Sequence, residues 1–165
     1  MIVPINELPA TSRLWVYQAD RDLTDEELEA IRPALYSFLD QWAAHGKALS
    51  AAGDFAFNRF LVIAVNEEQH GASGCSIDAS VHFIKDLGNK LNINFFDRTK
   101  VLYLDKNDKI NSKSLGEIKK EVIEGNLSPE TRIFNTAVTT KKNFDDSFVI
   151  NIKESWLNKW LPSTV

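Results

Sequence analysis

Three observations predict an α+β chain built on a ferredoxin-like βαββαβ core, in which an antiparallel sheet carries two helices on one face. Strand-like and helix-like stretches follow one another as strand, helix, strand, strand, helix, strand over residues 1–105. Residues 60–65 (FLVIAV) are apolar at every position, as in a strand covered on both faces rather than wetted on one. Residues 106–165 then read as a C-terminal α/β extension, the natural cover for the second sheet face, with a homodimer partner as the other candidate. The chain has 165 residues, enough for one domain with a real core and short for two, so a single domain over 1–165 is expected.

Each element has a local cause. Residues 13–19 (RLWVYQA) are aromatic and β-branched, which favours a strand. Thr24 followed by Glu27 is a capping box, with acids in the first turn where the helix dipole favours them. Leu28, Ile31, Leu35, Phe38, Leu39 and Trp42 recur at helical spacing and mark the buried face. Pro33 deletes a helix hydrogen bond and predicts a kink or restart, and Gly46 is the expected stop. Residues 47–66 are strand-like, with a hairpin turn at either Gly53-Asp54 or Asn58-Arg59.

A small-residue turn follows at 71–78 (GASGCSID). Ser73 or Ser76 can cap a second helix, with Ile77, Val81, Ile84, Leu87 and Leu91 as its inner stripe. Residues 100–105 (KVLYLD) read as the fourth strand. In the extension, Ser114 and Glu117 form another capping box, and Gly125-Asn126 stops that helix. A strand over 132–138 and a helix over 141–148 follow, and Trp156 and Trp160 share a face if their segment is helical.

Composition narrows the function classes. Hydrophobic residues make up 44% and charged residues 25%, a globular balance. The net charge of −4 disfavours nucleic acid as a general partner. One cysteine excludes an internal disulfide framework and fits a reducing compartment. Residues 1–10 lack the pattern of a signal peptide, and 60–65 is too short to span a bilayer, so a cytoplasmic location and no membrane are expected. No HExxH, CxxC or His/Asp cluster occurs, and neither a metal nor a cofactor is expected.

The turn at Ser73, Gly74, Cys75 and Ser76 is where chemistry would concentrate. Backbone N–H groups opening a helix favour anions and thiolates. In the expected topology Arg13, His45 and Lys47 lie at the same sheet edge, and with these amides they would hold a phosphate or carboxylate. Cys75 as a nucleophile, with His70 or His45 as base, is the enzymatic alternative. His82 stands seven residues on, about 10.5 Å along the axis, too far for a direct bond. Phe55, Ala56, Phe57 and Phe60 partly match the RNP1 motif of RNA-recognition domains, with residues 14–16 a weak RNP2-like segment. Gly53-Asp54 stands where that motif has Lys/Arg-Gly.

Residues 12–21 (SRLWVYQADR), 71–78 with 81–84 (VHFI), and 153–156 (KESW) resemble a family of uncharacterised bacterial proteins often labelled "ABC transporter ATPase". The resemblance runs over nearly the whole chain. The label implies a phosphate-binding loop. No G-x-x-x-x-G-K-[ST] pattern is present, so ATPase activity has no support and no catalytic residue carries over. The expected function is a non-catalytic cytoplasmic protein that binds a small anionic ligand or a protein partner through the Cys75 edge.

Overall fold

A computed structural model describes residues 1–163 and shows an α+β chain with antiparallel sheets. Two compact units form, one from Met1–Asp97 with Ala137–Asp145, the other from Arg98–Thr136 with the chain from Asp146 on. In the first unit, β1 (Arg13–Gln18) is followed by α1 (Asp25–Gln41). Thr24 Oγ accepts from the Glu27 amide, and the Glu27 carboxylate accepts in return from the Thr24 amide. Arg21 clamps that carboxylate with two bonds of 2.9 Å and also donates to the Leu91 carbonyl at 2.7 Å. Leu28, Ile31, Leu35 and Leu39 are buried as the spacing predicts. The helix runs through Pro33 without restarting. Pro33 is exposed, so water can satisfy the carbonyl that the ring leaves without a donor.

Gly46 does not stop α1. The helix ends at Gln41, and His45 (φ 50°) and Gly46 (φ 78°) instead turn a two-residue hairpin between β2 (Ala43–Ala44) and β3 (Lys47–Ala48). Positive φ at both turn positions matches the twist of paired strands. A longer hairpin follows, from β4 (Ser50–Ala56) to β5 (Phe60–Asn66). Its turn falls at Phe57 (φ 55°) and Asn58 (φ 52°), while Gly53-Asp54 lies within β4. Asn58 is held by its side chain, which donates to Leu23 O and Asp25 Oδ1. Gly53 has a packing role: a Cβ there would stand 2.8 Å from Val62 O and 2.9 Å from Leu39 Cδ1.

The sheet order is β1-β5-β4, with Trp15 opposite Ile63 and Phe55 opposite Leu61. Both faces of β5 are buried. Leu61, Ile63 and Val65 join the helix-side core, and Phe60, Val62 and Ala64 on the other face are equally inaccessible. The second helix, α2 (Gly74–Leu91), is capped by Ser73. Its inner face is Ser76, Ser80, Ile84, Leu87 and Gly88, rotated from the expected stripe. Small residues let α2 approach closely, and a Cβ on Gly88 would collide with the Ile93 carbonyl.

The expected ferredoxin-like sheet is not completed. Its fourth place, beside β1, is not taken by residues 100–105. Instead Leu14 N–H donates to Thr139 O at 2.9 Å, Arg13 bridges to Thr140, and Asp97 N–H donates to Gln18 O at 3.3 Å. In the second unit, β6 (Lys100–Leu104) pairs with β7 (Ile110–Ser114), a strand the sequence reading missed. The reason is local. Asp105 accepts from the Asn107 and Lys109 amides and from Asn111, tying a tight turn. Closing that short loop costs far less entropy than pairing with a strand some eighty residues away. The turn bonds also lower the Asp105 pKa, that from Lys109 first.

The rest of unit 2 follows the local signals. Ser114 caps α3 (Leu115–Ile123), and Gly125 (φ 79°) reverses the chain after it. The strand expected over 132–138 is shorter, β8 (Arg132–Phe134). The chain passes through α4 (Lys141–Ser147), which lies mostly in the first unit, and β9 (Val149–Asn151) then completes the sheet order β7-β6-β8-β9. Ile118, Val122, Ile133, Ile152 and Leu157 form its core. Trp156 and Trp160 meet edge-on at 6.1 Å within a 3-10 turn.

Two outcomes test this account. Arg21 first, then the Thr24 amide, holds the Glu27 carboxyl at about 2 against an ordinary 4.5. A carboxyl depressed by folding stabilises fully above its unfolded value, and its contribution vanishes as pH falls through its folded one. The Tm gap between the parent and Glu27→Gln is therefore widest at neutral pH and closes between pH 4.5 and about 2; a gap constant with pH contradicts the clamp. Gly53→Ala forces β4, β5 and α1 apart, and urea unfolding should show a loss of roughly 1–3 kcal/mol.

Candidate functional site

Trp42 organises the edge that carries the predicted residues. Its indole caps the helix-side core, 3% exposed, and Nε1 donates to the Ser76 carbonyl at 2.8 Å. The Trp42 carbonyl accepts from the Leu49 amide at 2.9 Å, which closes the His45-Gly46 hairpin behind it. One residue thus ties the end of α1, the small hairpin and the first turn of α2. Trp15 packs edge-on to Trp42 at 6.0 Å, and the Arg13 guanidinium lies 4.9 Å over the Trp15 ring. His70 joins the same edge through Nε2, 2.7 Å from the Ala48 carbonyl.

Glu67 folds onto the start of α2. Its carboxylate accepts from the Ala72 amide at 2.9 Å and stands 4.0 Å from Arg13. Gly71 makes the room, because a Cβ there would collide with Glu67 Oε2 unless that side chain moved. A carboxylate therefore already sits at the entrance to α2, against an amide and a guanidinium.

The Ser73–Ser76 turn uses part of its own capacity. Ser73 Oγ accepts from the Ser76 amide, and Ser76 Oγ accepts from the Ser73 amide and donates to the Ser73 carbonyl. Gly74 and Cys75 are exposed, so the thiol is not the buried small residue that a tight turn favours. His45 and Lys47 are exposed on the hairpin beside this turn. His82 is exposed further along α2. The contacts thus chain Arg13, Trp15, Trp42 and Ser76 together, and Arg13 to Ala72 through Glu67. Of the aromatics that partly match the RNP1 motif, Phe55 packs on the helix side with its ring 6.3 Å from Phe95, while Phe57 is exposed at the hairpin tip.

A second feature escaped the sequence reading. A cavity of about 330 Å³ is lined by residues 2–5, Tyr36, Gly53 and Asp54. Asp54 accepts from Arg32 Nε at 3.0 Å, Tyr36 Oη at 3.1 Å and its neighbour's amide at 2.8 Å. Burial and then the Asp54 charge raise the Tyr36 pKa. The signal available was Arg32 and Tyr36, four apart on one helical face. It shares no residue with the α2 edge.

No family model, curated protein or solved structure matches the chain. Among the described residues no group of three or more His, Cys, Asp or Glu could hold a metal ion. No helix there is long and apolar enough to cross a membrane.

The anchoring role of Trp42 is open to test. Trp42→Phe removes the bond to Ser76 and should cost on the order of 1–3 kcal/mol. Amide exchange at Leu49 and Lys47 should accelerate more than exchange in β5; equal protection at both would relieve Trp42 of that role.

Proposed function

We propose that this chain is a non-catalytic cytoplasmic binding protein whose site is the α2 edge, and that it takes a small anion or a partner's carboxylate there. One observation supports the reading: the fold already holds a carboxylate, that of Glu67, between the Ala72 amide and Arg13. The same donors suit a phosphate or carboxylate ligand, with the exposed first turn at Gly74 and Cys75 adding helix-end amides. Arg13 is braced by Trp15, which limits the entropy lost when it binds. The ligand would replace Glu67 rather than add to it.

The exposure of Cys75 favours one second reading, a thiol-dependent enzyme. His70 Nε2 is engaged with a backbone carbonyl, which leaves its other ring nitrogen, or His45, as the base.

Titration with inorganic phosphate and with short dicarboxylates, followed by amide chemical shifts, separates these readings. Under the binding reading the Ala72, Gly74 and Cys75 amides respond, Arg13→Ala weakens binding about tenfold, and Cys75→Ser leaves it nearly unchanged. Glu67→Gln strengthens it, because the competing charge is gone. No response at these amides, even in Glu67→Gln, rejects the site; a thiol-dependent turnover abolished by Cys75→Ser selects the enzyme.

A further inference from the structure

Unit 2 has an exposed surface that its own core does not use. Leu115, Lys119 and Ile123 stand four apart on α3 and form one row beside the buried row of Ile118 and Val122. Leu115 is 45% exposed and Ile123 55%. An amphipathic helix ordinarily turns polar beyond its core-facing stripe, whereas this one sets two exposed aliphatic side chains on either side of Lys119. The Lys119 ammonium lies 4.5 Å from the centroid of the Trp160 ring, and Lys159 lies 4.3 Å from it. Trp160 in turn meets Trp156, which is 44% exposed. Lys119 thus joins the aliphatic row to the tryptophan pair. Of the six large exposed hydrophobic residues among the described ones, three belong to this surface, so it is a patch and not scatter.

Charge selects the occupant. Unit 2 has ten Lys and Arg against eight Asp and Glu, a net +2, in a chain of net −4. Of the acids on α3, Glu117 is bound to the Ser114 cap and Glu121, two residues from Lys119, does not share its face; the C-cap Glu124 lies 4.0 Å from Lys120. The two lysines over Trp160 are the cations that the patch offers. A membrane or a nucleic acid calls for a broader basic face than two lysines. Exposed tryptophan and aliphatic groups around two cations suit a peptide that brings both carboxylates and apolar side chains.

We propose that this surface docks an acidic, apolar-anchored segment of a partner protein. Its carboxylates meet Lys119 and Lys159, and its apolar side chains cover Trp156, Leu115 and Ile123. This site is independent of the α2 edge.

The test is fluorescence anisotropy of the full chain with a short labelled peptide of alternating leucine and glutamate, beside one with lysine in place of glutamate. The glutamate peptide should bind and the lysine peptide should not. Lys119→Glu with Lys159→Glu should weaken binding at least about tenfold, as should Trp156→Ala, while Arg13→Ala leaves it unchanged. Lys119→Gln, a milder change, should weaken it severalfold with an unchanged circular dichroism spectrum. Equal binding of both peptides, or binding indifferent to these substitutions, overturns the proposal. So does adsorption to phosphatidylglycerol vesicles with no peptide binding, which assigns the surface to lipid. Self-association lost in Trp156→Ala, with no peptide binding, assigns it to a second copy.

Discussion

Strand β5 has no solvent face, and the arrangement of the first unit follows from that constraint. Six consecutive apolar residues must all be removed from water, each contributing roughly 1.5–3 kcal/mol when fully buried for the larger side chains. A two-stranded hairpin cannot achieve this. The strand must lie between two neighbours with packed layers on both sides, and it does, between β1 and β4 with every residue from Phe60 to Val65 at 3% exposure or less. The close contact of α1 follows: Leu39 reaches the sheet at Gly53, where no side chain stands in the way.

Close approach also explains the α2 edge. Ser76, Ser80 and Gly88 face inward, so α2 settles near enough for its first-turn carbonyl at Ser76 to meet an indole from the end of α1. Packing on the helix's inner side turns the preceding position outward. Cys75 is exposed because Ser76 is buried. The exposed thiol and the buried hydroxyl are two consequences of one helix rotation.

Much of this was legible in the sequence where the determinant is local. The capping boxes at Thr24 and Ser114, the buried row on α1 and the double-sided burial of β5 depend on residues within a few positions of each other, and all appear as read. The order β1-β5-β4 also agrees with three of the four places in a ferredoxin-like sheet. The fourth place was not legible, because it depends on a competition. The Asp105 turn offers residues 100–104 a nearby partner, and Thr139 and Thr140 close the edge of β1 from far along the chain. Of the inner stripe expected on α2, Ile84 and Leu87 are buried and Leu91 packs on the core, while in the first half of the helix hydrophobic spacing points to Ile77 and Val81 where tight packing selects Ser76 and Ser80. At the site, nothing in the spacing of Glu67 and Gly71 announces that one folds over the other.

If the α2 edge takes a ligand as proposed, that fold-over sets the terms of binding. Glu67 is tethered five residues from the amide it occupies, and a short tether presents a group at an effective concentration on the order of millimolar. A free carboxylate with no further contact cannot displace it at lower concentration. A ligand that succeeds must gain elsewhere, and the gains within reach are charge on Arg13, the amides of the open first turn at Gly74 and Cys75, and the Trp15 ring beneath Arg13. Doubly charged anions collect more of these than singly charged ones. Under the proposed binding reading the internal carboxylate would thus be a filter, excluding weak monoanions and leaving the edge to ligands with both charge and a second point of contact.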